Sequence, residues 1–349
     1  MKNRLKIGSK WVGENARCFI SLEASSTFTN FEEAKKLTEI AASSGADAIK
    51  FQNLFPGDAE RILGKPDLKV DFSTPTGKKQ ELMYDAIKRR ELSENNWREL
   101  ANHAKNLGLL FITTPYFPEA LDLITKISGD AIKVNKGDIN NVLFIEQIAK
   151  TNLPVLLDGR EKFSDVDTAI KICENNNNEQ IVIMHCPSGY PSENAGVHLR
   201  AINAIKEKYD YPIGFADHSL GSIMNFAAIG LGVSMIEKTI TLDKTKEQSE
   251  HYMSLEPQEL PSFINDIRAV EDAMGDPDIL KSSRVNQNLR RCFVAKQDIK
   301  KGQKVVRDVL DYQRPGDAGI SCSEGFTLLE KTAQMDIPKG TFLQWNMFE

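Results

Sequence analysis

A chain of 349 residues with 41% hydrophobic content and a formal net charge of -5 can fill the core of one barrel-sized domain and a small second one. The acidic balance argues against a nucleic-acid-binding surface, because the lysine-rich runs are mixed with acids, and no stretch of about 18 apolar residues offers a membrane span. The N-terminus MKNRLKIGSKW lacks the apolar segment of a signal peptide, so a cytoplasmic protein is expected, and Cys18, Cys173, Cys186, Cys292 and Cys322 show neither CxxC nor Cys/His spacing and read as reduced thiols.

Short runs rich in Ile, Val and Phe recur along the chain, each followed by a polar turn and a helical pattern, as βα units of a parallel sheet require. In order they are 18–23, 47–51, 109–114, 130–134, 154–158, 180–185, 212–217 and 233–238. The amphipathic segments between them carry recognisable ends: Asn30 is placed to cap the first helix and Gly45 to stop it, and Gly129 ends a later one. Eight units in about 240 residues fit a closed (β/α)8 barrel better than an open doubly wound sheet. A long insertion, 53–92, follows the second run and reads as a lid at the catalytic face, with decoration of the barrel as the alternative. The barrel is expected to span 1–275, with a linker over 276–290 and a β-rich domain over 291–349, where AKQDIKKGQKV (295–305) is echoed by AQMDIPKGTFL (333–343).

Barrel active sites form where the strands end, so the polar residues closing each run are the candidates. They are Glu23, Lys50 and Gln52, Thr113 and Thr114, Lys133 with Lys136 and Asp138, Asp158 with Arg160, His185, Asp217 with His218, and Glu237 with Lys238. Taken singly, each has an ordinary explanation as a loop start or a helix cap. Taken together, several cations aimed at one mouth suit a phosphate and a carboxylate, while His and acidic groups suit a divalent cation.

The runs GADAIKFQ, FITTP, DAIKVNKGDINN, HCPSGYP, GFADHS, EKTITLD and QRPGDAG, in that order, resemble the sialic acid synthase family, which includes N-acetylneuraminate, legionaminate and pseudaminate synthases. The resemblance implies a (β/α)8 barrel followed by a SAF, or antifreeze-like, domain, and a domain-swapped homodimer. It implies a C–C bond-forming transferase that condenses phosphoenolpyruvate with an N-acylated amino hexose of the N-acetylmannosamine type, giving a nine-carbon ulosonic acid and phosphate with the help of Mn2+ or Mg2+. By the same resemblance Lys50, Thr114, Lys133 and Ser188 hold phosphoenolpyruvate, Gln52, Asp138 and Tyr190 meet the sugar, and Arg314 reaches its acyl group from the second chain. His218 ligates the metal and Glu23 orients or deprotonates groups beside it.

The chain departs from the family pattern in three places. The Asn-His pair expected after Glu23 is absent, Thr239 stands where a second metal histidine is expected, and the phosphate loop is rewritten as Asp158-Gly159-Arg160 with Lys136 in place of a serine. Lys136 and Arg160 would restore the positive charge. Glu250 and His251 are the nearest candidates to complete the sugar and metal contacts. Two other functions stay open: an aldolase-like enzyme using Lys133 or Lys50 as a Schiff base, and a degenerate homologue that binds a sugar or a partner without turnover.

Overall fold

The computed structural model describes residues 2–159, 162–276, 278–279, 290–314 and 319–349. The described chain forms two compact units, 1–275 and 276–349. Of the segment taken as a linker, 277 and 280–289 lie outside the described residues.

The first unit opens with an antiparallel hairpin, β1 (Arg4–Ile7) and β2 (Lys10–Gly13). The barrel strands are β3 (Phe19–Glu23), β4 (Ala48–Asn53), β7 (Leu110–Pro115), β8 (Ala131–Lys133), β9 (Val155–Asp158), β10 (Ile181–His185), β11 (Ile213–Asp217) and β12 (Met235–Thr239), and the insertion adds the hairpin β5 (Lys69–Thr74) and β6 (Gly77–Leu82). The eight barrel strands pair in parallel in chain order and close on themselves. The expected (β/α)8 barrel is therefore what forms, with all eight runs supplying strands.

Local chemistry explains the units. Asn30 accepts the Glu33 N–H to start the first helix (Phe31–Ser44), and Gly45 ends it at φ 88°, a left-handed conformation that costs glycine little. Because side chains alternate along a strand, one set of apolar residues faces the surrounding helices and the other fills the barrel. Leu5, Ile7 and Val12 of the first hairpin join Phe19, Ala48, Ala131 and Met235, the first or nearly first residues of their strands, in the interior cluster. The hairpin therefore plugs the N-terminal end of the barrel and leaves the other end for chemistry. Packing inside is tight: a Cβ on Gly214 would lie 2.2 Å from the Met184 sulfur.

The second unit turns its sequence repeat into a structural one. Ile299 and Ile337, equivalent in the two copies and both buried, exchange backbone hydrogen bonds of 2.9 and 2.8 Å. Asp298 accepts the Lys339 N–H and Asp336 the Lys301 N–H, each at 2.8 Å, so each copy caps the turn of the other. A short antiparallel pair, β13 (Cys292–Ala295) and β14 (Leu310–Gln313), completes it.

Candidate active site

Four charged side chains form an alternating array at the C-terminal end of the barrel. Glu23 and Lys50 are register partners on β3 and β4, and their side chains make a short ion pair. Lys50 Nζ also lies 4.0 Å from Glu237 on β12, which receives a 2.5 Å hydrogen bond from Lys133 Nζ on β8. All four are at most 6% exposed. A buried ion pair costs much desolvation and adds little net stability, so its presence at a strand-end mouth points to a use beyond holding the fold.

Glu23, Lys50 and Lys133 of this array line, with Thr114, Gln52, Lys136, Asp158, Tyr190, His218 and Glu250, a cavity of about 70 Å3, and Glu237 holds the two lysines from outside that lining. Among the described residues the Thr114 hydroxyl is buried with no hydrogen-bond partner, as are the Thr113 and Thr239 hydroxyls and Glu237 Oε2. Each unmet group of this kind costs about 1–3 kcal/mol, which a ligand carrying oxygen acceptors would relieve at Thr114, the threonine that lines the cavity. His218 donates from Nδ1 to the Pro187 carbonyl at 3.3 Å, and its ring lies 5.1 Å from that of Tyr190.

Residues 37–278 match the model of the NeuB family. The chain belongs to the NeuB family. An uncharacterized protein of Methanocaldococcus jannaschii is 33% identical and aligns over 98% of both chains. The N,N'-diacetyllegionaminic acid synthase of Campylobacter jejuni is 34% identical over 86% of this chain and 90% of its own. The crystal structure of N-acetylneuraminic acid synthetase from Leptospira borgpetersenii, in complex with citrate, superposes with a TM-score of 0.70 at 26% identity, covering 79% of this chain and 91% of that one.

In this NeuB-family chain the expected site residues fall into two groups. Glu23, Lys50, Gln52, Thr114, Lys133, Lys136, Tyr190, His218 and Glu250 share the cavity. Ser188 is exposed, its hydroxyl 3.5 Å from Lys136 Nζ, and Asp138 is half-buried against Asn141 at 3.3 Å; neither lines the cavity. His251 is fully buried, shares a 2.7 Å hydrogen bond with Thr241, and does not line the cavity either. Arg314 is exposed in the second unit, and Arg160 lies outside the described residues.

Three strand-end candidates prove to be structural. The alternation of β12 turns Glu237 inward and Lys238 outward, where Lys238 is fully buried on Asp217 at 2.7 Å. Asp217 also accepts from Asn225 at 2.6 Å, so both residues fasten β11 and β12 to the helix Ile223–Gly230. His185 donates to the Val197 carbonyl at 2.7 Å and stacks on Phe215. Conversely, Arg90 was not anticipated: the insertion buries it, and its guanidinium donates to Gln52 Oε1 and Ser26 Oγ at 2.9 Å and to the Ser25 carbonyl at 3.0 Å. Nothing in the run KRREL distinguishes it from its exposed neighbours.

The metal expectation meets a geometric difficulty. Among the described residues no three His, Cys, Asp or Glu side chains are gathered so as to hold an ion. Thr239 is beside Glu23 in register, His251 is turned away, and Lys50 already occupies Glu23. The described residues thus present no preformed metal shell.

Burial and neighbouring charge set the protonation states. Burial raises the Glu23 carboxyl, but Lys50, Lys133 and His218 outweigh it and hold the group well below the usual carboxylate range. Burial dominates at Glu237 and raises it despite Lys133 and Lys50. Burial would lower Lys133, yet Cys186 and the carboxylates of Glu237, Glu23 and Asp158 push it up. Glu250 has left-handed backbone, φ 71°, and its carboxyl is pushed up to about 7 by burial and by the charge of Glu23. Between the ordinary glutamate value and 7 the folded protein thus holds a proton that the unfolded chain has lost, so this group makes stability fall as pH rises through that window. Glu250→Gln is expected to flatten the fall between pH 5 and 7 and to gain about 1–2 kcal/mol above it. Chemical denaturation across pH measures this, and an unchanged pH profile would contradict the assignment.

Proposed function

We propose that the chain condenses phosphoenolpyruvate with an N-acylated amino-hexose aldehyde, giving a nine-carbon ulosonic acid and phosphate. The observation that carries the reading is the buried Glu23–Lys50–Glu237–Lys133 array with the unpartnered Thr114 hydroxyl beside it. Lys50 and Lys133 supply cations for the phosphate and carboxylate of phosphoenolpyruvate, Thr114 donates to an anionic oxygen, and Lys136 adds a further charge. Arg160, next in chain after Asp158-Gly159 in the rewritten loop, is assigned to the same anion on its charge alone, and Ser188 on the resemblance alone. Gln52, fixed by Arg90, and Tyr190 face the sugar, with Glu250. Asp138 and Arg314 keep proposed sugar roles on the resemblance alone, Arg314 from the second chain of a homodimer.

In this scheme C3 of phosphoenolpyruvate attacks the aldehyde carbon, the aldehyde oxygen takes a proton, water adds to C2, and phosphate departs with its C–O bond. Positioning of the two reactants accounts for most of the rate. When phosphoenolpyruvate draws Lys50 away, Glu23 loses the partner that suppresses its basicity and can accept the proton of the attacking water. The ion pair with Glu237 also argues against a Schiff base at Lys133, because it favours the protonated amine, which does not attack a carbonyl.

Mass spectrometry of a reaction containing phosphoenolpyruvate and N-acetylmannosamine or a diacetamido dideoxyhexose tests this. A new acid whose mass equals aldose plus phosphoenolpyruvate plus water less phosphoric acid is expected; a borohydride-trapped protein adduct in its place would support the aldolase instead. Mn2+ or Mg2+ is proposed separately, on the resemblance, with His218 as the one imidazole in the cavity. Loss of turnover in EDTA and its return with Mn2+ are expected, and full turnover after chelation would remove the ion from the account.

A further inference from the structure

Beside the charged cavity lies a larger groove, of about 600 Å3, between the hairpin β5–β6 and the loop 189–193. Tyr190 lines both, and its carbonyl accepts the Ser73 N–H at 3.1 Å, which fixes the hairpin to that loop. A volume of several hundred Å3 suits a small ligand, whereas the 70 Å3 cavity holds little more than reacting ends.

The hairpin presents two different faces to its surroundings. Asp71 pairs with Gln80 and Ser73 with Lys78 on one face, while Phe72 pairs with Lys79 on the other. Phe72 is buried and Lys79 is committed to an ion pair with Glu247. Gln80 Nε2 donates to Asp71 Oδ1 at 2.6 Å, which orients both for recognition. Across the groove the loop contributes Tyr190 and the exposed Glu193. Lys78 makes no ion pair among the described residues, but Asp71 and Glu193 oppose its charge. The groove therefore offers hydroxyl, amide and carboxylate groups and an aromatic ring without the surplus of cations that a phosphate needs. Such a lining matches a neutral, polyhydroxylated chain with amide substituents.

We propose that this groove seats the far end of the acceptor, an aldose bearing hydroxyl and acylamido groups but no phosphate, and that Asp71, Ser73 and Gln80 select it. The proposal rests on the phosphoenolpyruvate-dependent reading of the adjoining cavity. A phosphate on the primary hydroxyl of the sugar would face Asp71 and Glu193, and a site built for hydroxyl groups also rejects analogues that leave its polar groups unpaired.

Saturation-transfer NMR and steady-state kinetics, on the full chain with N-acetylmannosamine, N,N'-diacetamido dideoxyhexoses and N-acetylmannosamine 6-phosphate, decide it. The unphosphorylated sugars are expected to bind the wild type roughly tenfold or more tighter than the phosphate ester. Asp71→Ala and Gln80→Ala, both at exposed positions, are expected to weaken sugar binding roughly fivefold or more and to leave the KM for phosphoenolpyruvate within about twofold. The pair Asp71→Lys and Glu193→Lys is expected to narrow the gap to the phosphate ester. Undiminished sugar binding in Asp71→Ala and Gln80→Ala, no binding by any aldose, or a wild-type preference for the phosphate ester would overturn the proposal. Because binding is read without turnover, groove-dependent binding with no phosphate release would refute the synthase reading and leave the groove assigned. Turnover indifferent to the groove variants would do the reverse.

Discussion

Lys133→Met is expected to lower kcat/KM for phosphoenolpyruvate by roughly a thousandfold, because it removes a buried cation aimed at the substrate's anionic groups. The substitution has a second effect that must be separated from the first. Glu237 is 1% exposed and receives its 2.5 Å hydrogen bond from Lys133, leaving only Lys50, 4.0 Å away, as a cation beside it. An uncompensated buried carboxylate costs about 3–5 kcal/mol. Adding Glu237→Gln should therefore return much of the lost stability without returning activity. Urea denaturation and initial rates on the two variants separate the effects, and a double variant with near wild-type turnover would show that Lys133 does not meet the substrate.

The largest stability effect without a direct part in substrate binding is expected at Asp217. Its carboxylate accepts from the Ser219 N–H at 2.8 Å, the Ser219 hydroxyl at 2.6 Å, Asn225 Nδ2 at 2.6 Å and Lys238 Nζ at 2.7 Å. Asp217→Ala leaves the Lys238 ammonium buried with the Ser219 carbonyl as its one remaining acceptor among the described residues, at a cost of about 3–5 kcal/mol and a Tm lower by about 10 °C. Asp217→Ala combined with Lys238→Met should recover most of that, since replacing both members of a buried pair by apolar groups is often neutral. A single variant as stable as the wild type would mean that the ion pair does not fasten the two strands to their helix.

The barrel was legible because its signal is repeated: eight apolar runs, each with a turn and an amphipathic helix, leave few architectures open. The caps at Asn30 and Gly45 were legible for the same local reason. The two added hairpins were not. In β5–β6, KVDFST and GKKQEL, charged residues stand on both faces, Asp71 and Lys78 on one and Lys79 and Glu81 on the other, and the buried Phe72 is too isolated to mark a strand. Among strand-end residues the chain alone did not distinguish the inward Glu237 from the outward Lys238, because a shift of one residue exchanges the faces and only the register settles it. His251 shows the further limit: its nearness to Glu250 in sequence says nothing of the ring's direction, and the structure turns it to Thr241 while Glu250 lines the cavity.

The most direct test of the central claim is phosphate release from phosphoenolpyruvate by the purified chain, with Mn2+ present, across N-acetylmannosamine and the N,N'-diacetamido dideoxyhexoses. The account predicts release that depends on the aldose and stops when it is omitted. Release at the same rate without any aldose, or none with every member of the panel although phosphoenolpyruvate binds, would contradict it.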